Sequence, residues 1–319
     1  MNSPRIAMIV DHPLRDLPGL VLVGRVLAQS GANVFLVPMY SQDREVFTLK
    51  PDFVLLNYLR KNNELFVEKL KAAGIPYGIL DTEGGFYGDM KGYSGVLSKR
   101  EDLYASVKCN LIWGQRMMDF WNHEYPTRHP LFLTGLPRFD FYTKKFREMN
   151  FDFIPAQYTK KPLILINTKV ALVNPLFISF EKELDLYRNK LGIPEEKIQY
   201  YMKYGRLAIE DTIKISRELS VDFPEAQIIV RPHPHENHRT YEHPLEGLAN
   251  VAVFRDGNVT PWILQASILI HRHCTTAIES ALAGKTPIAP QWMNTSAEAP
   301  AAEAVSLKPK TREEMNEIF

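Results

Sequence analysis

The chain has 319 residues, 45% hydrophobic and 24% charged, a length and composition suited to two domains that exclude a largely disordered or fibrous protein. Lys plus Arg total 38 against 37 for Asp plus Glu, so a broad nucleic-acid-binding surface is unsupported, while a local basic cleft remains compatible with the balance. The two cysteines, Cys109 and Cys274, build no disulfide framework and fit a reducing compartment.

From Met1 the chain runs straight into a strand-like segment, without the basic, apolar and small-residue succession of a signal peptide. No apolar run reaches the roughly 18 residues of a membrane span. A cytoplasmic protein, at most peripheral to a membrane, is expected. In chain order, Arg5–Val10, Asn33–Val37, Asp52–Leu56, Pro76–Leu80 and Asn110–Trp113 read as buried strands. Helical patterns at Leu17–Ser30 and Asn62–Ala73 lie between them, the second stopped by Gly74. Charge, aromatics and proline crowd Lys144–Lys161, which reads as a helix end and an interdomain connection. The strand pattern then restarts at Pro162–Asn167, Gln227–Val230, Val251–Phe254 and Ser267–Ile270, with a last candidate at Pro287–Ala289. A long helix precedes Gln227, its stripe formed by Ala208, Ile209, Thr212, Ile213, Ser216 and Leu219. Thr311–Phe319 reads as the start of a helix, as in a chain that continues further.

Strand and helix alternate, and the strands are continuously apolar, so the fold class is α/β with parallel sheets covered on both faces. Two Rossmann-like units are expected, residues 1–150 and 151–319, with ligands in a shared cleft at the carboxyl ends of the strands. Three motifs sit just after strands. Asp81-Thr82-Glu83-Gly84-Gly85 places two carboxylates ahead of a glycine pair that lets the backbone turn sharply beside a ligand. Either carboxylate could take a proton from a hydroxyl or act as a nucleophile, and a capped turn with a solvated Glu83 is the plainer alternative.

Arg231-Pro232-His233-Pro234 follows the strand Gln227–Val230, and the prolines stiffen the backbone that aims the imidazole. An imidazole beside an arginine suits a phosphate ester, which His233 could protonate and Arg231 neutralise. A zinc site at His233, His235 and His238 is the competing reading, but their spacing fits no usual zinc signature. The third motif, His271-Arg272-His273-Cys274-Thr275-Thr276, opens a short helix ended by Gly284. Thr275 or Thr276 serves as its N-cap, and free N–H groups, hydroxyls and the flanking His271, Arg272 and His273 make an anion site there. Glu279, one turn on, could reach ribose hydroxyls or be solvated. Six of the nine histidines fall between His233 and His273, and His235, His238 and His243 acquire no role.

Together, D-x-E-G-G, R-P-H-P and H-x-H-C-T-T-A-I-E-S-A-L-A-G-K resemble the surface carbohydrate biosynthesis proteins of GT-B fold. They are also similar to bacterial sialyltransferases and Kdo transferases, which use CMP-activated ulosonic acids. The tract Gly135-Leu136-Pro137-Arg138-Phe139-Asp140 shares the likeness. The resemblance implies a GT-B fold with a cleft between an acceptor and catalytic-carboxylate domain and a nucleotide-sugar donor domain. Glu83 then takes the place of the catalytic carboxylate, Asp81 being the second choice. His233, with Pro234, contacts the CMP phosphate or protonates the leaving group, and Thr275 and Thr276 bind the same phosphate. Departures are the carboxylate pair split by Thr82 and threonines where serines are commoner.

The activity implied is metal-independent transfer of a Kdo-like or sialic-acid-like ulosonic acid from CMP, with no further cofactor, in surface polysaccharide or lipopolysaccharide biosynthesis. The acceptor is a glycan or lipid-linked glycan at the inner face of the cytoplasmic membrane, met by the loop Phe86–Ser98; no nucleic acid is involved. CDP-glycerol-type glycerophosphotransfer, a non-catalytic nucleotide-sugar-binding subunit and a UDP-sugar epimerase are the alternatives. The usual helix that crosses back to the first domain is not evident before Phe319.

Overall fold

The computed structural model describes residues 3–83, 90–124, 129–149, 154–190, 192–297 and 299–319. The chain divides into two compact units, Met1–Phe146 and Arg147–Phe319.

The first unit is built on six parallel strands, β1 (Arg5–Val10), β2 (Asn33–Pro38), β3 (Phe53–Leu56), β4 (Tyr77–Leu80), β5 (Val107–Ile112) and β6 (Leu131–Leu133), in the order β2-β1-β3-β4-β5-β6. All of β4 is buried, as a strand covered by helices on both faces must be. Its layers include the helices Leu17–Gln29 and Glu64–Ala72. The β5 strand begins at Val107, ahead of the apolar run that marks it in the sequence. The edge strand β6 was not anticipated: it has three residues, and Phe132 and Leu133 are exposed, too short a segment to show a period. Strand order reverses at β1, since β2 lies to one side and β3 to β6 to the other. The connections therefore diverge between β1 and β3, opening a crevice at their carboxyl ends.

In the second unit β7 (Leu163–Asn167), β8 (Gln227–Arg231), β9 (Val251–Val253) and β10 (Ile268–Ile270) form a parallel sheet in the order β10-β7-β8-β9. Single parallel bridges from Ile270 to Ile288 and from Ile288 to Leu307 extend its edge, so the segment expected as a last strand contributes one residue, Ile288, bridged on both sides. Here the reversal lies between β7 and β10. The 28-residue helix Glu195–Asp222 covers one face and buries Ala208, Thr212, Ser216 and Leu219, four residues of the predicted stripe. Gly284 at φ 78° ends the helix Thr276–Leu282, a left-handed position that suits glycine. The terminal helix Arg312–Asn316 folds onto the long helix: Arg312 pairs with Asp222, Met315 is buried, and Phe319 stacks on Phe223 at 4.6 Å. Among the described residues, no helix is long and apolar enough to cross a membrane.

Candidate functional site

The carboxylate motif follows β4 and meets residues that follow β1 and β3. Arg60 binds both acids, with Nη2 donating to Asp81 Oδ1 at 3.0 Å and Nη1 to Glu83 Oε2 at 2.7 Å. Its guanidinium lies over the Tyr58 ring, 4.3 Å from the centroid. Arg15 donates to the other Glu83 oxygen, Oε1, to Asp11 Oδ2 at 2.7 Å and to both oxygens of Asp16 at 2.8 Å. Four carboxylates and two guanidiniums thus form one network at the point where strand order reverses.

The two acids of the motif are pushed in opposite directions. Asp81 is buried, and that burial raises its pKa above the usual carboxylate value, against the pull of Arg60, the Glu83 N–H at 3.0 Å and the Tyr93 hydroxyl at 3.2 Å. Burial acts on Glu83 in the same sense, but Arg15 and Arg60 together outweigh it and hold its pKa below the ordinary value. Paired acids driven apart in this way differ in basicity and can divide the work. A carboxylate shared by two guanidiniums is a weak base, so Asp81 is the more basic of the two. Neither Arg15 nor Arg60 was identified from the sequence. The available signal was position, since Asp11-His12-Pro13-Leu14-Arg15-Asp16 follows β1 as Asp81 to Glu83 follow β4. Gly84, Gly85 and the start of the Phe86–Ser98 loop lie outside the described residues; within the rest of that loop, Tyr93 is buried in the helix Met90–Val96.

In the second unit, the residues after β7 and β10 meet across the other reversal point. Asn167 Nδ2 donates to Thr276 Oγ1 at 2.8 Å, and Thr276 donates to Cys274 Sγ at 3.1 Å. His273 is held between the Lys169 carbonyl, 2.6 Å from Nε2, and the Thr295 hydroxyl, 2.5 Å from Nδ1. His271 Nε2 lies 2.8 Å from the Ser306 hydroxyl. Burial lowers the pKa of His271 to about 3 and of His273 to about 4, so both imidazoles are neutral at pH 7 and offer hydrogen bonds rather than charge. Beside them is a small pocket, open to solvent, whose wall includes Asn167, Lys169, His273 and Asn294.

The arginines expected to neutralise a phosphate are engaged within the protein. Arg231 donates to the Asp256 and Gly257 carbonyls at 2.9 Å and lies over the Trp262 ring. Arg272 donates to the Met293 carbonyl at 2.9 Å and pairs with Glu303 at 3.0 Å. Lys169 lies on the pocket wall with Arg272, and the sequence reading missed it although Thr168-Lys169 follows β7 as Pro232-His233-Pro234 follows β8. His233 is half-buried, its ring 5.3 Å from that of His235, and its Nδ1 accepts the His235 N–H at 3.3 Å; Pro234 lies between them. Thr275 is the N-cap, but its side chain makes no capping hydrogen bond, and the helix it opens has seven residues. Glu279 is buried rather than solvated.

A further buried acid, Glu236, was also missed. Its carboxylate accepts from the Val170 N–H and Thr168 hydroxyl, both at 2.7 Å, and the Tyr241 hydroxyl at 2.9 Å. It therefore ties the loop after β7 to the histidine loop after β8. Among the described residues, no group of three or more His, Cys, Asp or Glu is arranged to hold a metal ion.

The amino-acid sequence matches no protein-family model and no curated protein. The fold is similar to that of a Listeria monocytogenes protein provisionally assigned as a UDP-N-acetylglucosamine 2-epimerase, with a TM-score of 0.62, 11% identity and coverage of 99% of this chain and 86% of that one. It is similar to S. aureus MnaA, solved with UDP, at a TM-score of 0.59, 9% identity and 99% and 87% coverage. The Neisseria meningitidis UDP-GlcNAc 2-epimerase bound to UDP-GlcNAc gives 0.55, 13%, 99% and 90%. At these identities the likeness establishes the fold: GT-B-like α/β, with two Rossmann-like domains in one chain.

Proposed function

We propose that this protein is a nucleotide-sugar enzyme of carbohydrate biosynthesis, and more specifically a glycosyltransferase that moves a Kdo-like or sialic-acid-like ulosonic acid from CMP to a surface glycan. The observation that carries the reading is the second-unit pocket at the reversal point between β7 and β10, where open α/β sheets take up ligands. Structures of the same fold solved with UDP and with UDP-GlcNAc support a nucleotide sugar as the ligand class. The ulosonic acid rests on the order of the three motifs.

The second unit takes the nucleotide. The threonines at 275 and 276 are assigned to the phosphate oxygens, and His233 is assigned the protonation of the departing phosphate, both on the resemblance of their motifs. The first unit supplies the carboxylates. Asp81, the more basic of the two carboxylates, accepts the acceptor hydroxyl's proton; Glu83, kept anionic by Arg15 and Arg60, stabilises positive charge developing at the anomeric carbon.

A second reading, epimerisation of a UDP-sugar at C2, is favoured by the likeness to 2-epimerases along 99% of the chain. Calorimetric titration with CMP, CDP and UDP, followed by NMR of CMP-Kdo, CMP-sialic acid, UDP-GlcNAc and CDP-glycerol incubated with enzyme, separates the possibilities. Selective CMP binding and acceptor-dependent loss of a CMP-ulosonic acid are expected. Epimerised UDP-GlcNAc would establish the second reading, turnover of CDP-glycerol alone would replace both, and full transferase activity in both Asp81→Asn and Glu83→Gln would remove the carboxylates from the mechanism.

A further inference from the structure

Two neighbouring side chains on the wall of the second-unit pocket have unmet interactions of opposite kinds. Asn167 is only 6% exposed. Its Nδ2 is used on Thr276 at 2.8 Å, while its Oδ1 is buried and finds no hydrogen-bond partner among the described residues. A buried carbonyl oxygen without a donor is costly, and natural structures rarely keep one without reason. The Thr276 hydroxyl gives its own proton to Cys274 Sγ at 3.1 Å, so a flipped amide would meet an oxygen whose proton is already used. Lys169, two residues on, is exposed and lines the same pocket, and among the described residues no hydrogen bond or ion pair engages its ammonium group. The rest of the wall gives no competing charge for an anion: Arg272 is paired with Glu303, and His273 is held by the Lys169 carbonyl and Thr295. Ile166, Val170, Ala208 and Met293 add apolar surface to a wall that also carries Thr168, Thr212 and Asn294.

We propose that this pocket binds the phosphate-bearing end of a sugar ligand, with the Lys169 ammonium meeting the phosphate and Asn167 Oδ1 accepting a hydrogen bond from a hydroxyl or N–H of the same ligand. An anion alone would leave Asn167 unsatisfied, and a neutral sugar would leave Lys169 unused; a phosphorylated sugar answers both. The assignment rests on the nucleotide-sugar reading and adds two ligand-binding residues to it.

The test is calorimetry of the full chain with CMP, UDP and inorganic pyrophosphate, with melting temperature and far-UV circular dichroism as fold controls. Loss of the lysine charge in Lys169→Met is expected to weaken nucleotide and pyrophosphate alike by about tenfold or more, with Lys169→Arg retaining most of the affinity. Asn167→Ala is expected to weaken the nucleotide several-fold while leaving pyrophosphate unchanged. If the wild-type protein binds none of the three ligands, the nucleotide-sugar reading itself fails. If it binds a nucleotide and Lys169→Met binds it as tightly, or if Asn167→Ala weakens pyrophosphate as much as nucleotide, the assignment of these two residues is overturned while the broader reading stands.

Discussion

Glu236 is fully buried and holds three donors from two different segments, so replacing it separates a structural tie from a merely tolerated acid. In Glu236→Ala, the Val170 N–H loses an acceptor that it cannot replace by rotation, and the hydroxyls of Thr168 and Tyr241 recover only part of theirs. Each buried donor left unsatisfied costs about 1–3 kcal/mol, and partial recovery by the hydroxyls brings the sum to roughly 3–5 kcal/mol. For a unit of this size, about 1 kcal/mol corresponds to roughly 2–4 °C, so a fall in melting temperature of roughly 10 °C is expected. Glu236→Gln keeps one acceptor oxygen for Val170, and its amide can donate to a rotated hydroxyl, so its loss should be about 1 kcal/mol. Burial raises the pKa of this acid in spite of the three donors. Its contribution is therefore full below the unfolded-state pKa and is lost as pH rises through the folded value, a dependence that the Gln variant lacks. Scanning calorimetry at several pH values measures both effects, and hydrogen exchange at the Val170 amide localises them. An Ala variant melting within about 1 °C of wild type would refute the claim that this carboxylate joins the loops after β7 and β8.

Three further outcomes follow from the same geometry. His271 and His273 stay neutral to about 3 and about 4 against an ordinary 6.5, so the stability they contribute is present above pH 6.5 and is lost as pH falls toward those folded values. Each accounts for about 1.4 kcal/mol per pH unit in that window; urea midpoints between pH 7 and 5 should fall less steeply in His273→Gln, and identical slopes would count against it. Arg60→Met leaves Asp81 buried without its cation, costs about 3 kcal/mol or more, and should shift the Asp81 carboxyl titration, followed by carbon NMR, to higher pH; an unmoved titration contradicts the network described for the first unit. Gly19→Ala would bring a Cβ within 2.6 Å of the Arg138 backbone nitrogen, forcing the helix Leu17–Gln29 away from the tract at 135–140. A loss of about 1–3 kcal/mol in chemical denaturation is expected, and none would mean that this contact is loose.

The sequence carried the fold because its signal is local. Continuous apolar runs such as Leu163–Asn167 and Gln227–Arg231 are all buried, as strands covered on both faces require, and the stripe from Ala208 to Leu219 lies against the second sheet as its spacing implies. The three-residue strand β6 was illegible for the converse reason, having no room for a period. The motifs were legible as types of residue in the right place, after strands. Their roles were less so, because charge is settled by partners distant in sequence. Arg231 and Arg272 look like phosphate ligands in the chain and are bound to carbonyls and Glu303 in the structure. Glu83 looks like a free base and is held by Arg15 and Arg60.

What the sequence alone determined is the α/β class, the two Rossmann-like units and the strand ends where polar residues gather; periodicity and composition suffice for these, since they depend on neighbours a few residues apart. Only the tertiary structure decided which of those polar residues remain available. Sheet order brings Asp11, Arg15, Arg60, Asp81 and Glu83 together at one reversal point and Asn167, Lys169 and His273 at the other. Burial and ion pairing there set which acid is the more basic, and burial leaves both His271 and His273 uncharged. Desolvation and ion pairing are properties of a packed neighbourhood, and no window of the chain contains one.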